Sequence, residues 1–597
     1  MADREAGAHL TAATGVKRRV PRLVLAGAVA ACACARIGSS PSTGADSTAG
    51  ARTSAPHEGS PAVVLRQAGP GASWRVTYGF GRPVVRLRFE RPAGFFREEH
   101  WRVLTPGFVL AREGDLQVVR TEAGRAADSL TLELAVHTAP LAREYESFLA
   151  FSDGSLAVYT GHLNGMAFTE SGDSVRIRDF VLSAAGGDHV VVPGASPAAS
   201  LAWTDAPGQG TYAYFGSGVP AETPDMMLLM DRGLPDWLAR TAEAAIPAFF
   251  RIYAERIGVD VPARPLVLLG RDPSPAPGLN SGGGVLPGLI QLMVQGDAWT
   301  ERSPRAATQA LHFIAHEAAH VWNGDYARSA DPAESWMHEG GADAFADRAL
   351  LASGLIDREE FDTRATRAAN LCSAELGGRA LRSAARGAPA VSYACGNVMA
   401  LWTEAALRTA SGGDLFAFWG ELIGRAVRTG GTYDQAAYLE TALDLGLPHG
   451  AAAALARLAD TDHGDTAGLL AEGLAAAGVE VTRDPVGDAS YRQEWGRRLF
   501  SALMLADCGG VSFYGGGGAY RVAGGLTCGA LREGAEVSRA EGLPLVEDGG
   551  RAYDAVRATC PASGSVSIGL ADGSAVDVPC PAELLERTPA LRIRTGD

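Results

Sequence analysis

The sequence predicts a multidomain α+β protein: an N-terminal antiparallel β domain, a mostly helical central domain and a small C-terminal β domain. Three observations predict it. The 597 residues are too many for one hydrophobic core. Apolar and polar side chains alternate with period two from residue 63 to about 200, whereas Ala-rich segments at helical spacing fill residues 305 to 480. Beyond residue 490 glycine becomes dense, and Cys508, Cys528, Cys560 and Cys580 lie there.

Lys17-Arg18-Arg19, the short apolar run from Leu23 to Ala31 and the small residues after it read as an export signal over residues 1–35. Val29-Ala30-Ala31-Cys32 resembles a bacterial lipobox, which would place a lipid anchor on Cys32; cleavage after Ala35 is the alternative. Residues 36–62 are rich in Ser, Thr, Gly, Ala and Pro and read as a flexible linker. The expected location is outside the cytoplasm, periplasmic or attached to the cell envelope. Past the N-terminus no run of about 20 apolar residues occurs, so no spanning helix is expected there. The formal net charge of −15 argues against a nucleic-acid partner, because phosphate binding needs a basic surface.

The N-terminal β domain is expected over residues 63–215. Trp74 to Tyr78, Val84 to Glu90, Leu130 to Val136 and Leu156 to Thr160 alternate as half-buried strands do. The central domain is expected over 216–485. It opens with a helix from Leu234 to Tyr253, in which Pro247 is a candidate kink, then a buried strand from Pro265 to Gly270. A Gly-rich turn, Ser281 to Val285, leads into a strand from Leu289 to Val294, and helices follow. Residues 490–597 form the small module. With Cys32 and Cys34 set aside, six cysteines remain, and an exported chain can oxidise them in any of 15 ways. Sequential pairing, 372–395, 508–528 and 560–580, is the expectation.

Ser303-Pro304 starts a helix that carries His316-Glu317-Ala318-Ala319-His320. Residues four apart leave one face, so both imidazoles can ligate one tetrahedral zinc. Glu317 beside them is placed to take a proton from water at the metal. Asp331-Pro332-Ala333-Glu334 reads as the capping box of a second helix bearing Glu339, with 18 residues between His320 and Glu339. Two His and one Glu leave a fourth position open, as a catalytic zinc requires. Asp343, one turn on, is placed to accept the second ring N–H of His316 or His320. One zinc ion is therefore the expected cofactor. His312 and His338 lie nearby but read as packing residues, as do Trp322 and Trp336.

This pattern resembles the gluzincin metallopeptidases with the thermolysin-like fold. His320-Val321-Trp322-Asn323 and Trp336-Met337-His338-Glu339-Gly340 resemble their aminopeptidase branches. Val391-Ser392-Tyr393-Ala394-Cys395-Gly396 resembles the Tyr-x-x-Gly helix of those families, and the resemblance implies that the Tyr393 hydroxyl donates to the oxyanion. Leu531 to Val537 followed by Gly542-Leu543-Pro544 resembles a PDZ core, which implies a PDZ-like C-terminal domain with a peptide ligand of its own. The whole arrangement resembles the glycyl aminopeptidase family and implies a peptide or protein substrate. Those families carry a Glu upstream of the zinc helix that binds the substrate's α-amine; here Ser281-Gly282-Gly283-Gly284-Val285-Leu286-Pro287-Gly288 supplies no acid. Endopeptidase action on the same fold is thus an alternative to aminopeptidase action. A non-catalytic PDZ-type peptide-binding protein with a structural zinc is the reading outside enzymes. The pattern specifies no oligomeric state.

Overall fold

In a computed structural model the described residues are 50–52, 61–67 and 73–596, apart from short breaks at 123, 140, 142–143, 207, 261–263, 275, 277, 386–389, 485–486, 517 and 524–525. The expected export signal, Cys32 and most of the expected linker lie outside them. The chain divides into two compact units. One spans Asp488–Arg587; the other takes in the described residues up to Gly487 and returns for Thr588–Asp597.

The larger unit begins with three sheets. The seven-stranded one runs in the order Gly50–Arg52, Ser200–Thr204, Asp179–Ser183, Ala62–Gln67, Ser73–Val84, Ala127–Ala135, Trp101–Val103. Its pairs are antiparallel except Asp179–Ser183 against Ala62–Gln67. The alternating pattern explains its packing: Trp74, Val76 and Tyr78 are buried together with Leu130, Leu132 and Leu134 of the neighbouring strand. Gly50–Arg52 corrects the expected linker, since these residues pair with Ala202–Thr204. Small polar composition suggests a tether, and a long-range partner for it leaves no local trace.

Next comes a five-stranded mixed sheet. Its strands are β1 (Ala221–Glu222), β2 (Met227–Met230), β3 (Leu266–Arg271), β4 (Asn280–Leu286) and β5 (Leu289–Gln295), in the order β1-β2-β3-β5-β4. β3 lies parallel to β2 and β5, and β4 is the antiparallel edge. β3 is apolar on both faces, as a strand covered on both sides must be. The expected Gly-rich turn is corrected here: Gly282, Gly283 and Gly284 pair in register with Met293, Leu292 and Gln291. Three successive glycines normally weaken a strand. The middle one, Gly283, lies against a neighbour that leaves no room for a side chain, as shown below.

Six helices then matter for the site: α1 (Asp236–Ile257), α2 (Pro304–His320), α3 (Gly341–Ala352), α4 (Arg358–Leu376), α5 (Ala390–Ser411) and α6 (Leu415–Arg428). They bury one large apolar core, which includes Phe249, Phe313, Phe345, Trp402 and Trp419. α1 runs through Pro247 as one helix, and its Tyr253 hydroxyl donates to the Ala315 carbonyl of α2 at 2.8 Å. The Cys372–Cys395 disulfide ties α4 to α5.

In the smaller unit the helix Ala489–Cys508 precedes an antiparallel sheet ordered Phe513–Gly516, Ala519–Val522, Glu536–Ala540, Ser565–Leu570, Ala575–Pro579. Leu543–Pro544 also pairs with Glu536–Ala540, and the helix Gly549–Ser563 follows. Cys508–Cys528 and Cys560–Cys580 are both formed within it, so all three sequential pairings occur. The unit ends at Arg587, ten residues before the expected boundary at 597. Ala590–Arg594 instead pairs with Glu480–Asp484 and lies along α4, where Asn370 exchanges two hydrogen bonds with the Leu591 backbone. Its alternation was readable as a strand; which sheet it joins was not.

Candidate metal centre

α2 starts where the sequence places it, with Ser303 Oγ accepting from the Ala306 amide at 3.0 Å. His316 and His320 leave its last turn on one face and are both buried. The chain then widens into a π-helical turn, Val321–Tyr326, and a second such turn, Trp336–Gly340, leads into α3. Such turns release carbonyls from the regular ladder. The Asn323 carbonyl uses that freedom, accepting from the Tyr433 hydroxyl at 2.6 Å and from His338 Nδ1 at 2.9 Å. The expected capping box is corrected. Asp331 caps only a short 3-10 turn, Pro332–Glu334, and Glu334 turns away to pair with Arg382 and accept from the Gln435 amide.

These turns bring Glu339 to the histidines. Its Oε2 lies 3.4 Å from Nε2 of each, and the two Nε2 atoms are 3.1 Å apart. The protonation pattern follows from the other ring nitrogens. His316 Nδ1 faces Asp343 Oδ1 at 2.8 Å, and His320 Nδ1 faces Asn323 Oδ1 at 3.0 Å. Both oxygens only accept, Asn323 having its Nδ2 donated to the His338 carbonyl. Each Nδ1 therefore carries a hydrogen, which turns Nε2 of each ring toward the common point and makes it the ligand atom of the neutral imidazole. Two ring nitrogens and a carboxylate oxygen meet at one buried point, a donor set that a cation there would satisfy. The triangle also fits: a tetrahedral zinc with bonds near 2.0 Å has edges of about 3.3 Å. Among the described residues these three form a group that could hold a metal. Asp507, Cys508 and Cys528 also cluster, but that pair of cysteines is a disulfide and Asp507 accepts from the Ala530 and Leu531 amides.

The charges act on one another: burial would lower the His316 imidazole, but Asp343 and Glu339 outweigh it and raise the ring well above the usual histidine range, so a metal at Nε2 would displace a proton. Burial would raise the Glu339 carboxyl, but His338, His316 and His320 outweigh it and hold the group well below the carboxylate range. Asp343 is likewise held low by His316 against its burial. His338 is pushed down to about 4, by burial first and by His320 second, so it is neutral at pH 7.

Glu317 is fully buried, and its carboxyl lies against Gly283 of β4. A methyl group on Gly283 would collide with it. Tyr393, in the first turn of α5, lays its ring parallel to His316 with centroids 5.8 Å apart. It comes this close because Gly396 and Gly340 meet backbone to backbone, leaving no space for a Cβ on either. The structure thus gathers His316, Glu317, His320, Glu339, Asp343 and Tyr393. Asn323 and His338 were missed as site residues. The signal for Asn323 was its i+3 spacing from His320; His338 packs its ring 4.0 Å from that of His320, which no spacing rule foretold. Trp322 and Trp336 are buried core residues, as expected.

No family model matches the chain, and no curated protein matches it. Solved structures do. An aminopeptidase N family protein from Idiomarina loihiensis aligns over 90% of this chain and 98% of its own, with a TM-score of 0.60 and 14% identity. The two share a fold. An M1 zinc metallopeptidase from Deinococcus radiodurans aligns over 68% of this chain and 93% of its own, at TM-score 0.41 and 15% identity. Yeast LTA4 hydrolase aligns over 64% of each chain, at TM-score 0.40 and 13% identity.

Proposed function

We propose that the protein is an exported zinc metallopeptidase that hydrolyses peptide bonds. The observation that carries this reading is the convergence of two Nε2 atoms and one carboxylate oxygen on a buried point, beside a further carboxylate. His316, His320 and Glu339 would hold a single zinc ion, which when bound supplies a Lewis acid that acidifies water and polarises a carbonyl.

The remaining steps belong to the chain's own residues. Glu317 takes the proton from the attacking water and returns it to the departing amine. Tyr393 donates its hydroxyl hydrogen to the oxygen that gains charge. Asp343 and Asn323 hold the imidazoles in the required tautomer and orientation. β4, the sheet edge beside Glu317, offers its backbone to an extended peptide.

The substrate is a peptide or protein. Within this reading the chain is aminopeptidase-like without the usual amine-binding Glu, since residues 281–288 hold no acid. Gly283 among them lies against Glu317, and nothing in the segment marks a free N-terminus, which favours an endopeptidase as the second reading. The smaller unit is read as PDZ-like, with a peptide ligand, and the N-terminal signal as a route to the periplasm or to a lipid anchor at Cys32.

Turnover of a quenched peptide library, with and without a chelator, tests the enzyme reading. Cleavage that the chelator abolishes supports it; a zinc-loaded protein that cleaves nothing would favour a binding protein. Paired peptides with free and N-acetylated termini separate exopeptidase from endopeptidase action.

A further inference from the structure

At the ends of α3 and α5 remote from Asp343 and Tyr393, a cavity of about 300 Å³ opens in the larger unit. Leu351, Phe361, Leu401 and Phe416 give it apolar walls. Arg256, Arg348, Arg358 and Arg408 also line it, in a chain whose net charge is −15. Only two carboxylates answer them among the described ion pairs. Glu404 takes Arg348 at 2.5 Å and lies 3.5 Å from Arg408, while Asp414 takes Arg256 at 2.7 Å. Both acids are ionised: burial opposes this, but Arg348 holds Glu404 low, and the Ala417 amide with Arg256 holds Asp414 low. Four guanidinium groups against two carboxylates leave two positive charges in excess.

Arg348 and Arg256 are committed to their partners. The surplus falls on Arg358 and Arg408. Arg408 lies in the last turn of α5, where a cation is favourable in any helix. Arg358 is the opposite case. It is the first residue of α4, where the helix dipole opposes a cation, and it joins no described ion pair. Asp357 caps the Glu360 amide, Glu360 pairs with Arg364, and Asp362 accepts from the Thr595 amide and hydroxyl, while Glu359 is exposed and forms no described ion pair with Arg358. Arg358 instead donates to Thr595 Oγ1 at 3.2 Å and stands over the Phe361 ring, whose centroid is 5.5 Å from both Arg358 and Arg348. Arg358 beside the Phe361 ring and Arg408 in the same cavity lining, both short of counter-charge, form a receptor for an oxyanion.

We propose that this cavity binds a small organic anion, a carboxylate or phosphate on an apolar body. The oxyanion is held by Arg358 and Arg408, and the body lies against Phe361 and Leu401.

Titration calorimetry of the full chain with phenyl phosphate tests this. Saturable binding is expected, and Arg358→Gln with Arg408→Gln should weaken it roughly tenfold or more, since each removes a charge-assisted bond. Arg358→Lys with Arg408→Lys should restore part of the affinity, and thermal melting of each variant checks folding. Inorganic phosphate should bind more weakly than the phenyl ester. No binding by the wild type at millimolar ligand would overturn the proposal. So would equal affinity in the Gln variant, or binding that is lost in His316→Ala instead.

Discussion

His316 Nδ1 lies 2.8 Å from Asp343 Oδ1, so the imidazole that faces the candidate metal point is fixed from behind by an ionised carboxylate. The contact holds the hydrogen on Nδ1 and turns Nε2 toward the metal point. Asp343→Ala should therefore weaken zinc binding by about 10- to 100-fold without unfolding the chain. Competition with a fluorescent chelator measures it, and an unchanged dissociation constant would remove Asp343 from the account.

Tyr393 is placed over His316 by the backbone contact of Gly396 with Gly340. Loss of its hydroxyl in Tyr393→Phe should lower kcat by roughly 10²–10³ with little change in KM. The ring still packs in the variant, so melting temperature and zinc content should hold. A variant with wild-type kcat would leave Tyr393 a packing residue.

Gly283 leaves no room for a Cβ beside the Glu317 carboxyl. Gly283→Ala should displace that carboxyl and reduce hydrolysis on the order of 10²-fold, because small misplacements of a catalytic group cost that much. Zinc affinity should be retained, since the three candidate ligands do not touch Gly283. Equal losses of zinc and activity would point to a broken sheet edge.

The Cys372–Cys395 bridge fastens α5 to α4 two residues beyond Tyr393. Replacing both cysteines by alanine should cost about 3 kcal/mol, the value expected for closing a loop of this length. Denaturant unfolding under oxidising conditions reads it directly. A difference below the error of the method would show that the helix core alone sets the geometry.

Much of this was legible in the sequence, for definable reasons. His316, Glu317 and His320 are local: their spacing on one helix decides their direction. The N-terminal strands carried a strict alternation that one buried face imposes. The three disulfides joined near neighbours in sequence. What escaped was long-range or depended on irregular backbone. The strand Gly50–Arg52 and the return of Ala590–Arg594 depend on partners more than a hundred residues away. Three glycines in a row suggested a turn, whereas they lie in β4, where Gly283 leaves the space that the Glu317 carboxyl occupies. Asn323 and His338 meet only because π-helical turns redirect their backbones.

The most direct test is peptide hydrolysis by Glu317→Gln together with its zinc content. The account predicts one zinc per chain, as in the wild type, with hydrolysis reduced to background. Full activity in that zinc-loaded variant, or a wild type that cleaves peptides equally well after its metal is removed, would contradict it.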